Sequence, residues 1–159
     1  MSLLPYFEAL EASPIGVFVK DKAATFACIE AVHLMALALL GAAVLSSDLR
    51  LLNVMLTDVP SNRVTEQAHR WFKLALGVLL VTGFFMLAGV ATKCFHNPFY
   101  WAKMTTLGVG IVFVFAIRQP LLRKDHAQLN PVTLKLVALA SLTIWFLVAA
   151  SGRWIGFSG

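Results

Sequence analysis

The sequence predicts an all-α integral membrane protein, a bundle of four transmembrane helices preceded by a short N-terminal interfacial helix. Three observations predict it. Of the 159 residues, 59% are hydrophobic and only 13% charged, where a soluble domain is about half apolar and about a quarter charged. The apolar residues gather into four runs, each of a length that crosses a hydrocarbon core of roughly 30 Å. The basic residues, which bring the formal charge to +5, fall mainly in the connections between those runs. In a soluble protein that balance would suggest nucleic acid. Between apolar runs it is the pattern that sets membrane topology, and no nucleic-acid partner is expected.

The chain length suits a single domain. Residues 2–12, SLLPYFEALEA, place Leu3, Leu4, Phe7 and Leu10 at helical spacing, as in a helix lying in the membrane interface. Ser13-Pro14-Ile15-Gly16 breaks it. The first 22 residues lack a basic start followed by an apolar stretch, so no cleavable signal is expected and residues 1–22 read as an interfacial segment. Residues 23–155 then form the transmembrane domain.

The first run, 23–46, is 24 residues, or about 36 Å as a helix. Leu49, Leu51, Leu52, Met55 and Leu56 after it suggest an interfacial turn or helix, and Pro60-Ser61-Asn62 marks a stop and a new cap. The second run covers 71–91, the third 98–117 with Pro120 just beyond, and the fourth 131–150. Glycines within the second and third runs permit close helix approach, but none of the four runs holds a strict GxxxG. The first and third connections, with adjoining helix ends, hold eight of the thirteen Lys and Arg residues. The positive-inside rule therefore puts both termini outside.

Glu30 and His33 interrupt the first run and share a helix face. Ionisable groups in a membrane helix are costly and raise a functional hypothesis. His33 falls about 15 Å from the outer end of its helix and Glu30 about 10 Å. Glu-x-x-His resembles half of a di-iron carboxylate site, but no other run supplies the second motif and the two further carboxylates. Lys103, five residues into the third run from the same side, is at a depth to pair with Glu30 as a structural polar cluster.

For His33 the sharper expectation is ligation of a b-type haem, imidazole being a standard axial ligand in helical bundles. The candidate partners are His69, His96 and His126. His69 lies near the inner start of the second run, His96 in the outer loop before the third, and His126 in the inner loop before the fourth. None stands opposite His33 in depth. A second ligand then needs a loop folded inward, a methionine, or another chain, a two-fold homodimer presenting His33 twice included. Copper is the other metal reading. The outer half gathers Cys28, Met35, Met86, Cys94 and Met104 with His33 and His96, and the set His33, His96, Cys94 and Met104 has the soft donors that suit Cu(I). Met and Cys are also ordinary fillers of apolar cores, and Cys28 reads as one. The two cysteines form no disulfide framework. Asp48, Arg50, Arg70 and Lys73 read as an interface lattice fixing helix ends.

No phosphate loop, nucleophile–His–acid set or zinc-protease motif occurs, so no catalytic residue is named and an enzyme acting by itself is not expected. A single intramembrane acid makes a proton or ion transporter a weak reading. Three functions remain open: a haem b electron-transfer subunit working with a quinone or a redox partner, a non-catalytic anchor subunit of a membrane complex, and a copper-handling membrane protein.

The stretch Glu30-Ala31-Val32-His33-Leu34, then Gly41, Asp48-Leu49-Arg50-Leu51-Leu52, Thr82-Gly83, Asn97-Pro98-Phe99 and Lys103, resembles a group of uncharacterised bacterial four-helix inner-membrane proteins. That group looks distantly like copper-resistance D-type membrane proteins. The resemblance covers residues 25–115. It implies a multi-pass protein of the bacterial inner membrane and no settled activity. Members often carry a further His at the end of the third helix, where this chain has Phe115-Ala116-Ile117.

Overall fold

The computed structural model describes residues 3–124 and 129–157, and no strand occurs among them. Four apolar helical spans run Ala23–Leu51, Ser61–Gly89, Pro98–Leu122 and Pro131–Phe157. The first two are α3 and α4, and the fourth is α8. The third is built in three pieces: α6 (Pro98–Val112), a π-helical turn (Phe113–Arg118) and α7 (Gln119–Leu122). Two short helices, α1 (Leu4–Glu11) and α2 (Pro14–Asp21), precede the bundle, and α5 (Ala91–His96) joins α4 to α6. The fold class read from the sequence is the one observed.

All four spans outrun their apolar stretches, the fourth by continuing to Phe157, and the other three extensions have a visible cause. α3 runs on through Ser46-Ser47-Asp48 to Leu51 because its bundle face continues at helical spacing: Leu40, Ala43, Val44, Ser47, Asp48 and Leu51 are all buried. α4 begins ten residues before its apolar run because residues 61–70 are amphipathic. Thr65 and Ala68 continue the buried stripe of Phe72, Ala75 and Leu76, while Arg63, Glu66 and Arg70 face outward. The third span continues to Leu122 despite Pro120. Proline removes a helical donor and crowds the carbonyl four residues back, and the wider π turn just before it accommodates both.

α3 packs most extensively on α4, α8 on α6, and α3 on α8. Their shared core is Leu40, Ala43, Val44, Ala68, Phe72, Ala75, Leu76, Val114, Trp145 and Val148, with the Phe72 and Trp145 rings edge to face at 5.1 Å. The outward faces are apolar as well: Leu34, Met35, Val81, Val109, Leu136 and Phe146 are exposed, the surface expected of helices in contact with lipid.

The connection from α3 to α4 is an ordered turn, not a second helix. Asn53 and Leu56 both take φ 58. Arg50 holds the turn by donating to Val59 O at 2.8 Å, Asn53 Oδ1 at 2.9 Å and Thr57 O at 3.4 Å.

The N-terminal segment holds two helices, one more than the sequence suggests. Ser13 caps the second, accepting from the Gly16 amide at 3.2 Å. Gly16 permits a close crossing, because a Cβ there would lie 2.4 Å from Glu11 O, 2.7 Å from Leu10 O and 2.8 Å from Ala88 O. The hairpin thus sits on the end of α4. Phe7 completes the seat against the rings of Phe95, Tyr100 and Trp101. The end of α8 reaches the same region, where Asn97 Nδ2 donates to Ile155 O at 3.4 Å. The N-terminal helices and the end of α8 therefore lie at one end of the bundle.

Candidate functional site

Two polar layers cross the bundle. One, on the side that the basic residues lead one to expect as outer, is centred on His33. Its Nδ1 lies 2.7 Å from Thr82 Oγ1 on α4. The Thr82 hydroxyl also lies 2.7 Å from Val78 O. When it donates its single proton there it accepts from His33 Nδ1–H, and in that tautomer Nε2 carries the lone pair. No side chain among the described residues hydrogen-bonds to that nitrogen. Gly83 provides the room, since a Cβ there would touch His33 Cε1 at 3.4 Å. Lys103 reaches the same layer from α6, with its side chain lying along Gly152 of α8, and its charge acts on His33.

The expected Glu30–Lys103 pair is not made. The ion pairs among the described residues are Lys20–Glu11, Arg70–Glu66 and Arg118–Asp48. Glu30 is exposed on the outer surface of α3. Three residues along a helix turn a side chain by roughly 300°, so a shared face still spreads over about 60°. That is enough to leave His33 inside and Glu30 outside.

The other histidines do not join His33. His96 is exposed, with Nδ1 at 2.9 Å from Thr92 O, so its loop is not folded into the bundle. His69 lies two turns inside α4 because that helix starts at Ser61. It stacks near Phe72 and meets Phe115 edge-on at 5.9 Å. In the antiparallel pair of α3 and α4, Thr82 faces His33, so His69, thirteen residues away along α4, is about 20 Å off in depth. His126 lies outside the described residues.

The soft donors also scatter. Cys94 is buried in α5, where burial pushes its thiol up from the ordinary range. Met104 and Met35 are exposed. Cys28 is exposed rather than buried as expected, because its position on α3 faces away from the Leu40 stripe. No group of three His, Cys, Asp or Glu side chains gathers among the described residues.

The inner layer was not legible as a site. Arg118, at the end of the π turn, donates to Asp48 Oδ1 and Ser47 Oγ, each at 2.5 Å. All three are buried, Asp48 and Ser47 completely. The sequence reading groups Asp48 with Arg50, Arg70 and Lys73 as an interface lattice. Only Arg50 and Arg70 behave so, the first holding the loop and the second pairing with Glu66 on the surface. The available signal was Ser47-Asp48 falling on the continuation of the α3 stripe. Arg118 gave none, because the π turn resets its direction. The two layers are fifteen residues apart on α3, about 22 Å. Centred in a hydrocarbon core of roughly 30 Å, each would sit about 4 Å inside a face.

A third polar contact lies outside the spans. Glu11 joins α1, α2 and α5: its carboxylate accepts from Lys20 Nζ at 2.6 Å, the Thr92 amide at 2.8 Å and Thr92 Oγ1 at 2.6 Å. Lys20 first, then Thr92, hold the carboxyl down to about 2.

A family model matches residues 6–158. The chain belongs to DUF6644, a family of unknown function. No curated protein and no solved structure matches it. The family match agrees with the resemblance to uncharacterised four-helix membrane proteins, and the further likeness to copper-resistance D-type proteins has no support in it.

Proposed function

We propose that this DUF6644 protein is a membrane electron-transfer subunit whose outer polar layer holds a b-type haem on His33. The observation that carries the reading is the His33 Nδ1–Thr82 Oγ1 contact at 2.7 Å, with no described side chain hydrogen-bonded to Nε2. A ligating histidine usually has its second nitrogen fixed in this way, which sets the tautomer and the ring direction. Lys103, in the same layer and without a carboxylate partner among the described residues, supplies a cation for a haem propionate. Bound haem would supply one-electron chemistry. In this reading Thr82 aims the half-buried imidazole and Lys103 brings a cation to the same layer.

The described histidines offer no second axial ligand at this depth, so the sixth ligand falls to a methionine or to another chain. A redox partner subunit or a second copy is part of this reading, as is a quinone as electron carrier. Orientation follows the basic residues: we place the protein in the bacterial inner membrane with both termini periplasmic. An alkaline phosphatase fusion to the C-terminus, active only when exported, checks this.

The second reading is a non-catalytic anchor subunit, favoured by the fact that His33–Thr82 ties α3 to α4. One experiment separates the two. The reduced, detergent-purified protein should show a haem α-band that His33→Ala abolishes and Thr82→Val weakens or shifts. A colourless, metal-free preparation in which His33→Ala only lowers thermal stability leaves the anchor reading. Stoichiometric copper in a colourless preparation would instead favour copper handling.

A further inference from the structure

The inner layer carries a second inference, independent of the haem reading. Five buried side-chain atoms among the described residues lack a hydrogen-bond partner: Asp48 Oδ2, Arg118 Nε, Gln119 Oε1, Ser141 Oγ and Trp145 Nε1. Asp48 and Arg118 are bonded to each other. Ser141 and Trp145 are one turn apart on α8 and so share a face. Ser141 is close enough to act on the Asp48 carboxyl, yet its hydroxyl makes no direct bond that meets hydrogen-bond geometry. Asp48, Ser141, Arg118 and Trp145 are 0%, 1%, 6% and 7% exposed.

We propose that these residues build an internal water-binding site that bridges α3, the π turn and α8. The donor and acceptor balance selects the ligand. Arg118 Nε and Trp145 Nε1 can only donate, Asp48 Oδ2 only accepts, and Ser141 does either. An anion would meet the Asp48 carboxylate and a cation the Arg118 guanidinium. An apolar group would leave every one of these atoms unpaired. Water both donates and accepts, and buried water typically takes two to four such partners. Val44, one turn before Asp48 on α3, and Val148, one turn beyond Trp145 on α8, belong to the buried core, so a larger polar molecule would have to displace that core.

Hydroxyl-radical footprinting of the full chain in nanodiscs tests this, because X-ray radiolysis generates the radical from water where that water sits. Each residue is scored against its own rate in the unfolded chain. Trp145 should be oxidised readily despite its burial. Phe72, 3% exposed and 5.1 Å away ring to ring, should stay protected. Ser141→Val, which fills the space and removes the hydroxyl, should protect Trp145 several-fold more while leaving Phe72 unchanged. If that variant fails to fold, the double variant Asp48→Leu with Arg118→Met, which strips the polar atoms, should do the same. Trp145 as protected as Phe72 in the unaltered chain would overturn the site. So would equal labelling of both, which reports general opening, or undiminished Trp145 labelling in the folded variants.

Discussion

Removing Arg118 should cost far more than removing Arg118 and Asp48 together. In the intact protein one guanidinium nitrogen serves both Asp48 Oδ1 and Ser47 Oγ at 2.5 Å, and neither residue has measurable exposure. Arg118→Met therefore leaves a buried carboxylate with no cation and a buried hydroxyl with no partner. Breaking such a pair costs about 3–5 kcal/mol, because the surviving charge stays desolvated. Asp48→Leu alone leaves the guanidinium in the same position and should cost a similar amount. The double variant leaves no charge behind. Replacing a whole buried pair by apolar side chains of similar volume is often neutral or stabilising, so it should lie within about 1 kcal/mol of the parent. The measurement is unfolding of all four proteins in mixed micelles on titration with dodecyl sulfate, followed by circular dichroism. A double variant destabilised by the sum of the two single losses would refute the argument, since the two side chains would then act independently.

Other perturbations test the remaining contacts. Gly16→Ala drives a Cβ into three backbone oxygens within 2.8 Å and should cost about 1–3 kcal/mol, read as faster proteolysis within residues 4–21. Gly77→Ala and Gly108→Ala, where a Cβ meets nothing within 4 Å, should be silent in the same assay. The Glu11 carboxyl has its folded value lowered to about 2, so its contribution is present above the ordinary carboxylate value of about 4.3. It should be lost as pH falls from there toward 2, and hydrogen exchange at the Thr92 amide should accelerate over that window. Glu11→Ala removes the acceptor for the Thr92 amide and should cost about 1 kcal/mol, as loss of a helix cap does. Cys94, buried and with its thiol pushed up, should react with a water-soluble maleimide at pH 7.5 far more slowly than in the unfolded chain.

Hydropathy located all four spans and misplaced their ends. It sees apolar runs, and both α4 before Trp71 and α3 after Ser46 are helical through an amphipathic stripe instead. The same limit hid part of the candidate site. His33 was legible because an imidazole inside an apolar run is conspicuous. Thr82 was legible only as a residue of the resemblance, since nothing local shows that its hydroxyl meets the His33 imidazole. Glu30 and Lys103 matched in depth but not in direction, and direction depends on how each helix is rotated in the bundle.

Composition, run length and the placement of basic residues were enough to determine a four-span helical membrane protein with an ionisable first helix. Lipid imposes that outcome on any such chain, because every backbone polar group in the core must be satisfied within its own helix. Which polar side chains face one another was decided by packing alone. The π turn before Pro120 aims Arg118 at Asp48, and the crossing of α3 over α4 brings Thr82 and Gly83 to His33. Those pairings join residues 49 to 71 positions apart. Their contact depends on helix rotation and register, which no single segment of the sequence encodes.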